Sequence, residues 1–228
     1  MTITLITGAN KGIGFETARQ FVELGHEVFL GARDVGRGAQ AAAELGARFV
    51  QLDVTDDASV AAALADIEAT VGKLDILVHN AGITEGGVVD GPTALRVFDT
   101  NAVGMVRVTE AALPLLLKSS DPTVVTVSSS AGSFWACTNP ERPEYGLPAP
   151  LYSASKSALT MLTVQYAKAQ PTIRFNAVEP GYTETDLTAS FGGGRSPVES
   201  AAFVVRTALA GANLATGTYE DENGAIPW

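Results

Sequence analysis

Short runs of β-branched and aliphatic residues alternate along the chain with longer, alanine-rich segments in which apolar residues recur at helical spacing. Four of the short runs, at 3–7, 28–30, 74–79 and 123–128, are almost continuously apolar, which is typical of strands covered on both faces of a parallel sheet. The pattern therefore predicts strands at ITLIT, EVFLG, RFVQLDV, LDILVHN, TVVTVSS, IRFNAVEP and GTYED.

The helices predicted between these strands have recognisable ends. The first, IGFETARQFVELG, is expected to stop at Gly25, and DDASVAAALADIEATVG to begin at a cap formed by Asp56 or Asp57. Ser196 is predicted to cap SPVESAAFVVRTALA, with Pro197 in its first turn.

Two longer segments need separate interpretation. Residues 93–118 are predicted to be mostly helical with a kink at Pro114, and LYSASKSALTMLTVQYAKA is predicted to be a helix. The stretches ACTNPERPEYGLPAP and YTETDLTASFGGGRS are predicted to be surface loops, and Gly192, Gly193 and Gly194 suggest a mobile lid in the second.

This alternation predicts an α/β protein of three layers, with a doubly wound, mostly parallel seven-stranded sheet and helices on both faces. The 228 residues suffice to bury a substantial core, and no linker rich in Pro, Gly or Ser divides them. We therefore expect residues 1–228 to form a single domain.

Composition and the N-terminal sequence limit the kinds of partner and the cellular location that we expect. The chain has 15 basic and 25 acidic residues, a formal net charge of −10, which argues against nucleic acid or an anionic membrane as the main partner. The single cysteine, Cys137, excludes an internal disulfide. The start MTITLITGAN reads as a strand and not as a signal peptide, and the longest apolar run falls short of the roughly 20 residues that span a bilayer. We expect a cytoplasmic location.

A glycine-rich stretch, LITGANKGIGF, joins the first predicted strand to the first predicted helix. Glycines at this point permit a tight turn and let a pyrophosphate approach backbone N–H groups at a helix N-terminus. The stretch therefore predicts a dinucleotide site. Its glycine spacing is G-x-x-x-G-x-G, which differs from the G-x-G-x-x-G of the general dinucleotide-binding fingerprint. Its candidate cofactor-binding residues are Gly8, Asn10, Lys11, Gly12, Ile13 and Gly14.

The residues after the second strand indicate which dinucleotide binds. Asp34 stands at the distance along the chain where an acidic residue would bind the ribose 2′-hydroxyl of NAD(H). Arg33 lies nearer the tip of the strand and would suit a 2′-phosphate, with Lys11 as a second cation. We therefore expect NADP(H) to be preferred, with NAD(H) possible.

Tyr152 and Lys156 stand four apart in a run of small and apolar residues, on one face of a predicted helix. A tyrosine pKa near 10 is high for proton exchange at neutral pH. A neighbouring ammonium favours the phenolate by roughly 4 kcal/mol at about 4 Å before desolvation. We therefore expect Lys156 to lower the pKa of Tyr152, which would serve as a general acid and base.

Several motifs in a fixed order resemble the short-chain dehydrogenase/reductase superfamily, in its short single-domain branch, over nearly the whole chain. They are TGANKGIG, LDVTD, HNAG, NAVG, VSSSAG, YSASK and EPGYTET. The C-terminal stretch GTYEDENGAIPW resembles that of the carbonyl-reductase and menthone-reductase subgroup. Members of this subgroup also carry an extra segment before the tyrosine, and here the serine at 129 and the tyrosine at 152 stand 23 positions apart. The resemblance implies a Rossmann fold.

The resemblance also implies roles for the residues in these motifs. Tyr152 would be the proton donor, Ser129 would bind the substrate oxygen, Lys156 would also hold the nicotinamide ribose, and Asn101 would bind a water that links Lys156 to solvent. Ser129 is selected from Ser128, Ser129 and Ser130 by family register, and Ser128 stays open as the alternative.

Further residues would contact the cofactor by the same resemblance. Asp53, with Val54 beside it, would bind the adenine, and the N-A-G motif would lie along the cofactor. The threonines after the P-G motif would reach the nicotinamide carboxamide. The implied cofactor-binding residues outside the glycine loop are Arg33, Asp53, Val54, Asn80, Ala81, Gly82, Asn101, Tyr152, Lys156, Pro180, Gly181, Thr183 and Thr185.

The resemblance implies an NADP(H)-dependent oxidoreductase that interconverts a carbonyl and an alcohol. Two alternatives remain: a 3-oxoacyl-thioester reductase, which a basic docking patch would favour, and a non-enzymatic NADP(H) sensor, which the presence of both Tyr152 and Lys156 disfavours. His26 and His79 lack partners at ligand spacing, so we expect no metal. The oligomeric state is open among monomer, dimer and tetramer.

Apolar and aromatic residues cluster in the two predicted loops and just before the first of them, where they would line a pocket for a small apolar carbonyl compound; packing within the protein is the alternative for each of them. These residues are Phe134, Trp135, Tyr145, Leu147, Tyr182 and Phe191.

Overall fold

The computed structural model describes residues 1–189 and 192–228, and these form an eight-stranded sheet with helices on both faces. In the sheet the strands follow the order β3-β2-β1-β4-β5-β6-β7-β8, and only the β7–β8 pairing is antiparallel. The strands are β1 (Ile3–Thr7), β2 (Glu27–Ala32), β3 (Arg48–Gln51), β4 (Ile76–His79), β5 (Thr123–Val127), β6 (Arg174–Val178), β7 (Tyr219–Asp221) and β8 (Gly224–Ala225).

The predicted doubly wound α/β architecture is thus confirmed, with one more strand than expected. Strand β8 has two residues, Gly224 and Ala225, and is too short for a hydrophobic pattern to mark it. Strand β1 lies between β2 and β4, so the chain reverses its direction of travel across the sheet there. In open α/β sheets ligands bind beyond the carboxyl ends of the strands at such a point.

Helices cover both faces of the sheet, and alternation along each strand supplies both cores. Leu5 packs on one face with residues of α3, α5 and α7, while Ile6 packs on the other with residues of α1, α2 and α8. The helices are α1 (Gly12–Glu23), α2 (Val35–Leu45), α3 (Asp57–Val71), α4 (Gly91–Phe98), α5 (Gly104–Leu116), α6 (Phe134–Thr138), α7 (Pro150–Ala169) and α8 (Pro197–Ala208).

Side-chain caps fix the starts of several helices. Asp56 caps α3 by accepting hydrogen bonds from the Ala58 and Ser59 N–H groups, and Ser196 forms a capping box with Glu199 at α8. Both caps agree with the prediction. Asp34 caps α2 by accepting from the Arg37 N–H at 2.8 Å.

The segment predicted to be one kinked helix is interrupted at another place. Helix α5 runs through Pro114 to Leu116, while a π-helical turn, Asp99–Val103, separates α4 from α5. Such turns often occur at functional sites, and this one carries Asn101.

The segment before Tyr152, predicted to be a loop, contains helical structure. Part of it lies in α6, and Pro143–Gly146 forms a 3₁₀ turn. Ser133 caps α6 by accepting from the Ala136 N–H, and the Ser133 hydroxyl donates to the Pro227 carbonyl near the C-terminus. These tertiary contacts support a helix too short to show a periodic pattern.

Within residues 1–189 and 192–228, no helix combines the length and apolar character needed to cross a membrane.

Candidate active site

The glycine-rich loop follows β1 at the reversal point of the sheet, and it packs too closely for larger residues. A Cβ atom on Gly14 would lie 2.3 Å from the Asn80 Nδ2 atom and 2.8 Å from the Gly8 carbonyl oxygen. Helix α1 begins at Gly12, so its free N–H groups face the end of the sheet. This arrangement offers the bare backbone and helix N-terminus that a pyrophosphate requires.

The N-A-G motif after β4 supports this loop. The Asn80 and Ala81 N–H groups both donate to the Thr7 Oγ1 atom at 3.1 Å. The Asn80 Nδ2 atom donates to the carbonyl oxygens of Thr7 at 2.9 Å and Gly8 at 3.0 Å. These contacts tie the ends of β1 and β4 together, so the motif shapes the loop on which a cofactor would rest.

A groove of about 600 Å³ lies at the ends of β2 and β3, where the adenine half of a dinucleotide would lie. Arg33 is the first residue after β2 and its side chain is 80% exposed, with Nε 4.0 Å from Asp53 Oδ2. Asp53 also accepts from the Thr55 N–H and hydroxyl, and Val54 beside it is buried. The polar and charged residues of the groove are Arg33, Gln51, Asp53, Asp56, Ser59 and Asp66.

The two cations predicted to contact a 2′-phosphate both remain near the solvent. Lys11 precedes α1 and pairs with Asp186 at 2.6 Å, and both side chains are exposed. Asp34, the residue that would favour NAD(H), is already engaged as the cap of α2. The segment after β2 therefore presents an exposed guanidinium, at the 4.0 Å limit of contact with Asp53, and a carboxylate already engaged as a helix cap.

Tyr152 and Lys156 lie one turn apart on α7, at the ends of β4 and β5. Lys156 is buried and its Nζ atom donates to the Val127 carbonyl oxygen at 2.7 Å. The same Nζ lies 5.6 Å from the centre of the Tyr152 ring. Gly132 permits this packing, because a Cβ there would lie 2.8 Å from the Lys156 carbonyl carbon.

The three serines after β5 point to different partners. The Ser128 and Thr160 hydroxyls hydrogen-bond at 2.6 Å inside the protein, and the Ser130 hydroxyl donates to Glu144 at 2.5 Å. The Ser129 hydroxyl lies beside the Tyr152 phenol and favours its ionised form. Ser129 is therefore the serine that the fold brings to the tyrosine.

Asn101 lies buried in the π-helical turn and links two parts of the site. Its Nδ2 donates to the Ile83 carbonyl oxygen at 2.8 Å and to Ser155 Oγ at 2.9 Å, while its Oδ1 accepts from the Ile83 N–H at 2.8 Å. Ser155 in turn donates to the Tyr152 carbonyl oxygen at 2.7 Å. Asn101 therefore connects the segment after β4 to the helix that carries the tyrosine.

The predicted lowering of the Tyr152 pKa is wrong. Burial raises the pKa of Tyr152 to about 12; the Ser129 hydroxyl opposes this, whereas the Glu179 and Glu85 carboxylates reinforce it. Burial also lowers the pKa of Lys156 to about 8, because its ammonium is desolvated. The lysine points to the Val127 carbonyl and its own charge is disfavoured, so it does not drive ionisation of the phenol.

The two threonines that follow the P-G motif, Thr183 and Thr185, lie in different surroundings. Pro180 and Thr183 are buried, and the Thr183 hydroxyl hydrogen-bonds Ser200 Oγ at 2.6 Å and donates to the Gly181 carbonyl at 2.7 Å. The Thr185 side chain lies against Gly12 of the glycine-rich loop. The structure therefore places Thr185 beside the glycine-rich loop and directs the Thr183 hydroxyl into the protein.

Apolar side chains stand exposed around the segment before Tyr152. Phe134 is 74% exposed, and the backbone N–H of Trp135 donates to the Trp228 carbonyl oxygen at 3.0 Å. Phe191, predicted to join this group, lies outside the described residues. The other exposed members are Tyr145, Leu147 and Tyr182.

Sequence reasoning missed three residues at this site. Glu85 and Glu179 are carboxylates whose charges act on the Tyr152 phenol, and the Tyr219 hydroxyl donates to the Ser129 carbonyl oxygen at 2.6 Å. The available signal for the acids was a single glutamate in the segment after an apolar strand: Glu179 directly follows β6, and Glu85 comes six residues after the end of β4. No local pattern marks Tyr219, because its partner lies 90 positions away.

Comparison with known proteins agrees with this fold. The short chain dehydrogenase family model matches residues 2–195. A short-chain dehydrogenase/reductase from Stachybotrys chlorohalonatus is 34% identical, over 99% of this chain and 94% of its own length. The (-)-isopiperitenone reductase of Mentha piperita is 33% identical, over 90% of this chain and 91% of its own length.

Among solved structures, the NADPH-bound carbonyl reductase from chicken fatty liver gives a TM-score of 0.87 with 26% identity, covering 100% of both chains. The fold and site thus define a dinucleotide-binding oxidoreductase. The chain belongs to the short-chain dehydrogenase/reductase family and is carbonyl-reductase-like.

Proposed function

We propose that this protein is an NADP(H)-dependent reductase of apolar ketones or aldehydes, which uses Tyr152 as general acid and, in reverse, as general base. The observation that carries the proposal is the convergence of Ser129, Tyr152 and Lys156 beside the N-A-G motif at the reversal point of the sheet. The bound nicotinamide would supply the hydride.

Tyr152 suits the role of proton donor. With its pKa raised to about 12 by burial, the phenol is protonated at neutral pH and can give its proton to the oxygen of a carbonyl being reduced. Ser129 lies beside that phenol and would donate a hydrogen bond to the same oxygen as negative charge develops on it. These two hydroxyl groups would orient the carbonyl for reduction.

Lys156 and Asn101 would support the transfer. Burial lowers the Lys156 pKa to about 8, close enough to neutrality for the amine to exchange protons with a ribose hydroxyl or water. Asn101 is held to Ile83 and Ser155 and would anchor the water that reloads the lysine. A small cavity of about 10 Å³ beside Asn101 has room of the size that one water needs.

The preference for NADP(H) would come from Arg33 and Lys11. Arg33 is the first residue beyond β2 and is exposed at the groove, while the Asp34 carboxylate serves as a helix cap. A guanidinium binds a phosphate through charge-assisted hydrogen bonds, whereas a ribose hydroxyl would need an acceptor. The NADPH-bound structure of the related carbonyl reductase supports this choice of cofactor.

The acidic surroundings of Tyr152 favour a neutral, apolar substrate over a 3-oxoacyl thioester. Glu85, Glu144 and Glu179 all lie near the site, and the carrier arm of such a thioester ends in an anionic phosphodiester. The exposed Phe134 and Trp135 instead offer apolar surface. Similarity to a carbonyl reductase and an isopiperitenone reductase points the same way.

The test is consumption of NADPH and of NADH with a panel of apolar ketones, comparing the wild type with Tyr152→Phe. We expect NADPH to be consumed faster than NADH at equal concentration. We expect the variant to lose roughly 10²- to 10⁴-fold in kcat, because a positioned general acid contributes that much. Its affinity for NADPH, measured by fluorescence titration, should stay within a few fold of wild type.

Three results would count against the proposal, each against a different part of it. Full activity in Tyr152→Phe would remove the tyrosine from the reaction. Tight NADPH binding without turnover of any ketone by the wild type would instead favour the sensor function. Faster consumption of NADH than of NADPH would contradict the phosphate-binding roles proposed for Arg33 and Lys11 and leave the role of Tyr152 unaffected.

A further inference from the structure

Glu85, in the segment after β4, lies where no motif assigns a function. Its side chain is only 6% exposed, and its Oε2 atom accepts a hydrogen bond from the backbone N–H of Tyr152 at 3.2 Å. The two residues are 67 positions apart, so only the tertiary fold brings this carboxylate to the proton donor.

The first turn of α7 needs such an acceptor. The helix begins at Pro150, and the residue before it, Ala149, has no side chain that can cap it. The early N–H groups of a helix have no partner within the helix, and a negative charge at this end interacts favourably with the helix dipole. Glu85 therefore caps α7 from another part of the chain, at the residue that would perform the chemistry.

The second carboxylate oxygen is unusual. Glu85 Oε1 is buried and, within the described residues, has no hydrogen-bond partner. No salt bridge to Glu85 occurs among those residues, so a cation does not neutralise its charge. The charge of a buried carboxylate is less screened than that of an exposed one, and the Glu85 carboxylate disfavours ionisation of the Tyr152 phenol, after burial and Glu179.

Other charged groups also surround this phenol. Lys156 lies one turn along the same helix, and Glu179 approaches from the end of β6, where Asp221, Glu144 and Arg195 act on it in turn. Glu85 differs from all of these because it contacts the Tyr152 backbone directly.

We propose that Glu85 is a positioning residue for Tyr152: its carboxylate holds the tyrosine by its backbone N–H, and its charge adds to burial in disfavouring the phenolate. In the reductive direction the hydrogen bond places the phenol, and the charge extends to more alkaline pH the range in which the phenol can give its proton. The catalytic consequence rests on the proposed function of Tyr152 as proton donor. The electrostatic effect on the phenol does not depend on that function.

The test uses Glu85→Gln, which keeps an oxygen for the Tyr152 N–H and removes the charge, beside Glu85→Ala, which removes both. Glu141→Gln is the matched control, because Glu141 is an exposed glutamate in the segment before Tyr152. Each protein is also made with Tyr152→Phe. Absorbance of tyrosinate is measured at alkaline pH values at which circular dichroism shows an intact fold. Subtracting the absorbance of the Tyr152→Phe form from that of the same protein with Tyr152 isolates the ionisation of Tyr152.

We expect Glu85→Gln to lower the apparent pKa of Tyr152 by roughly 0.5 to 1 unit, the effect of one partly screened charge. Its rate of ketone reduction should therefore decline at lower pH than that of the wild type, while its kcat at neutral pH stays within a few fold. Glu85→Ala should show the same shift and lose a further factor of about 10 in kcat, because the hydrogen bond to the helix is gone. Glu141→Gln should follow the wild type throughout.

A Glu85→Gln protein whose Tyr152 ionises as in the wild type would overturn the proposal. So would a Glu85→Ala protein with wild-type kcat. If the wild type reduces no ketone but the shift in ionisation occurs, the proposed function fails and the action of Glu85 on the phenol stands. If Glu85→Ala does not fold, the ionisation of Glu85→Gln still decides the electrostatic effect.

Discussion

The catalytic end and the adenine end of the site are built differently. At the catalytic end Lys156 and Asn101 are buried, and each is held by hydrogen bonds to backbone groups from other elements. At the adenine end Arg33 and Lys11 are exposed, and each pairs only with a carboxylate near the surface. The difference teaches that the fold fixes the position of the proposed reacting groups, whereas the proposed recognition of a cofactor 2′-phosphate would depend on a few solvated charges.

Replacing Ser129 with alanine should give the largest effect, because it removes a hydrogen bond to the developing charge within the rigid end. We expect kcat to fall by roughly 10²- to 10³-fold, as for other donors to an oxyanion. The matched variant is Ser128→Ala, since Ser128 is the adjacent residue and bonds Thr160 instead. Steady-state kinetics should show Ser128→Ala near wild type in kcat, with about 1 kcal/mol lost in the free energy of unfolding. Equal losses of kcat in both variants would contradict the assignment.

Replacing Arg33 with alanine tests the exposed end. We expect the KM for NADPH to rise roughly 10-fold or more, because hydrogen bonds to a charged group contribute about 1.5–3 kcal/mol. The KM for NADH should change little, since it lacks the 2′-phosphate. Lys118→Ala is the control, because Lys118 follows α5 and pairs with Glu68 away from the groove. A parallel rise in both KM values would show that Arg33 does not select the phosphate.

Replacing Gly14 with alanine tests the loop that joins the two ends. The added Cβ would lie 2.3 Å from Asn80 Nδ2, so the N-A-G motif or the loop must shift. We expect a loss of about 1–3 kcal/mol in the free energy of unfolding, typical of overpacking, with weaker binding of both cofactors. Calorimetry and chemical denaturation measure these quantities. Gly91→Ala has open space around its Cβ and should match the wild type, and equal behaviour of the two variants would refute this explanation.

Replacing Asp34 with alanine should have the smallest effect and separates capping from cofactor choice. Because Asp34 accepts from the Arg37 N–H, the variant should lose about 0.5–2 kcal/mol in the free energy of unfolding. The ratio of kcat/KM for NADPH over NADH should stay unchanged. A selective loss of activity with NADH would show that Asp34 binds a ribose hydroxyl instead.

Local patterns in the chain predicted much of this molecule. Apolar runs marked seven strands, and the caps at Asp56 and Ser196 occur where their sequences indicate. The spacing of Tyr152 and Lys156 placed them on one helix face. These features depend on residues close in sequence, through periodicity and capping, so a single sequence contains the information.

Other features depended on contacts across the chain. Ser128 bonds Thr160 on α7, Ser130 bonds Glu144 in the segment before that helix, and Ser129 lies beside the Tyr152 phenol. Residue type alone therefore did not distinguish Ser129 from its neighbours. The pKa of Tyr152 is raised, opposite to the expectation, because burial disfavours the phenolate, and burial also disfavours the Lys156 ammonium that was expected to stabilise it.

The sequence by itself thus determined the class of fold, the glycine-rich loop and the placement of the candidate pair Tyr152 and Lys156 on one helix face. Only the tertiary structure showed that Glu85 accepts a hydrogen bond from the Tyr152 N–H and that the Tyr219 hydroxyl donates to the Ser129 carbonyl oxygen. It also showed that Asp34, next to Arg33, caps α2. The physical reason is that desolvation and long-range hydrogen bonds depend on which distant segments pack together, and short-range patterns do not specify that packing.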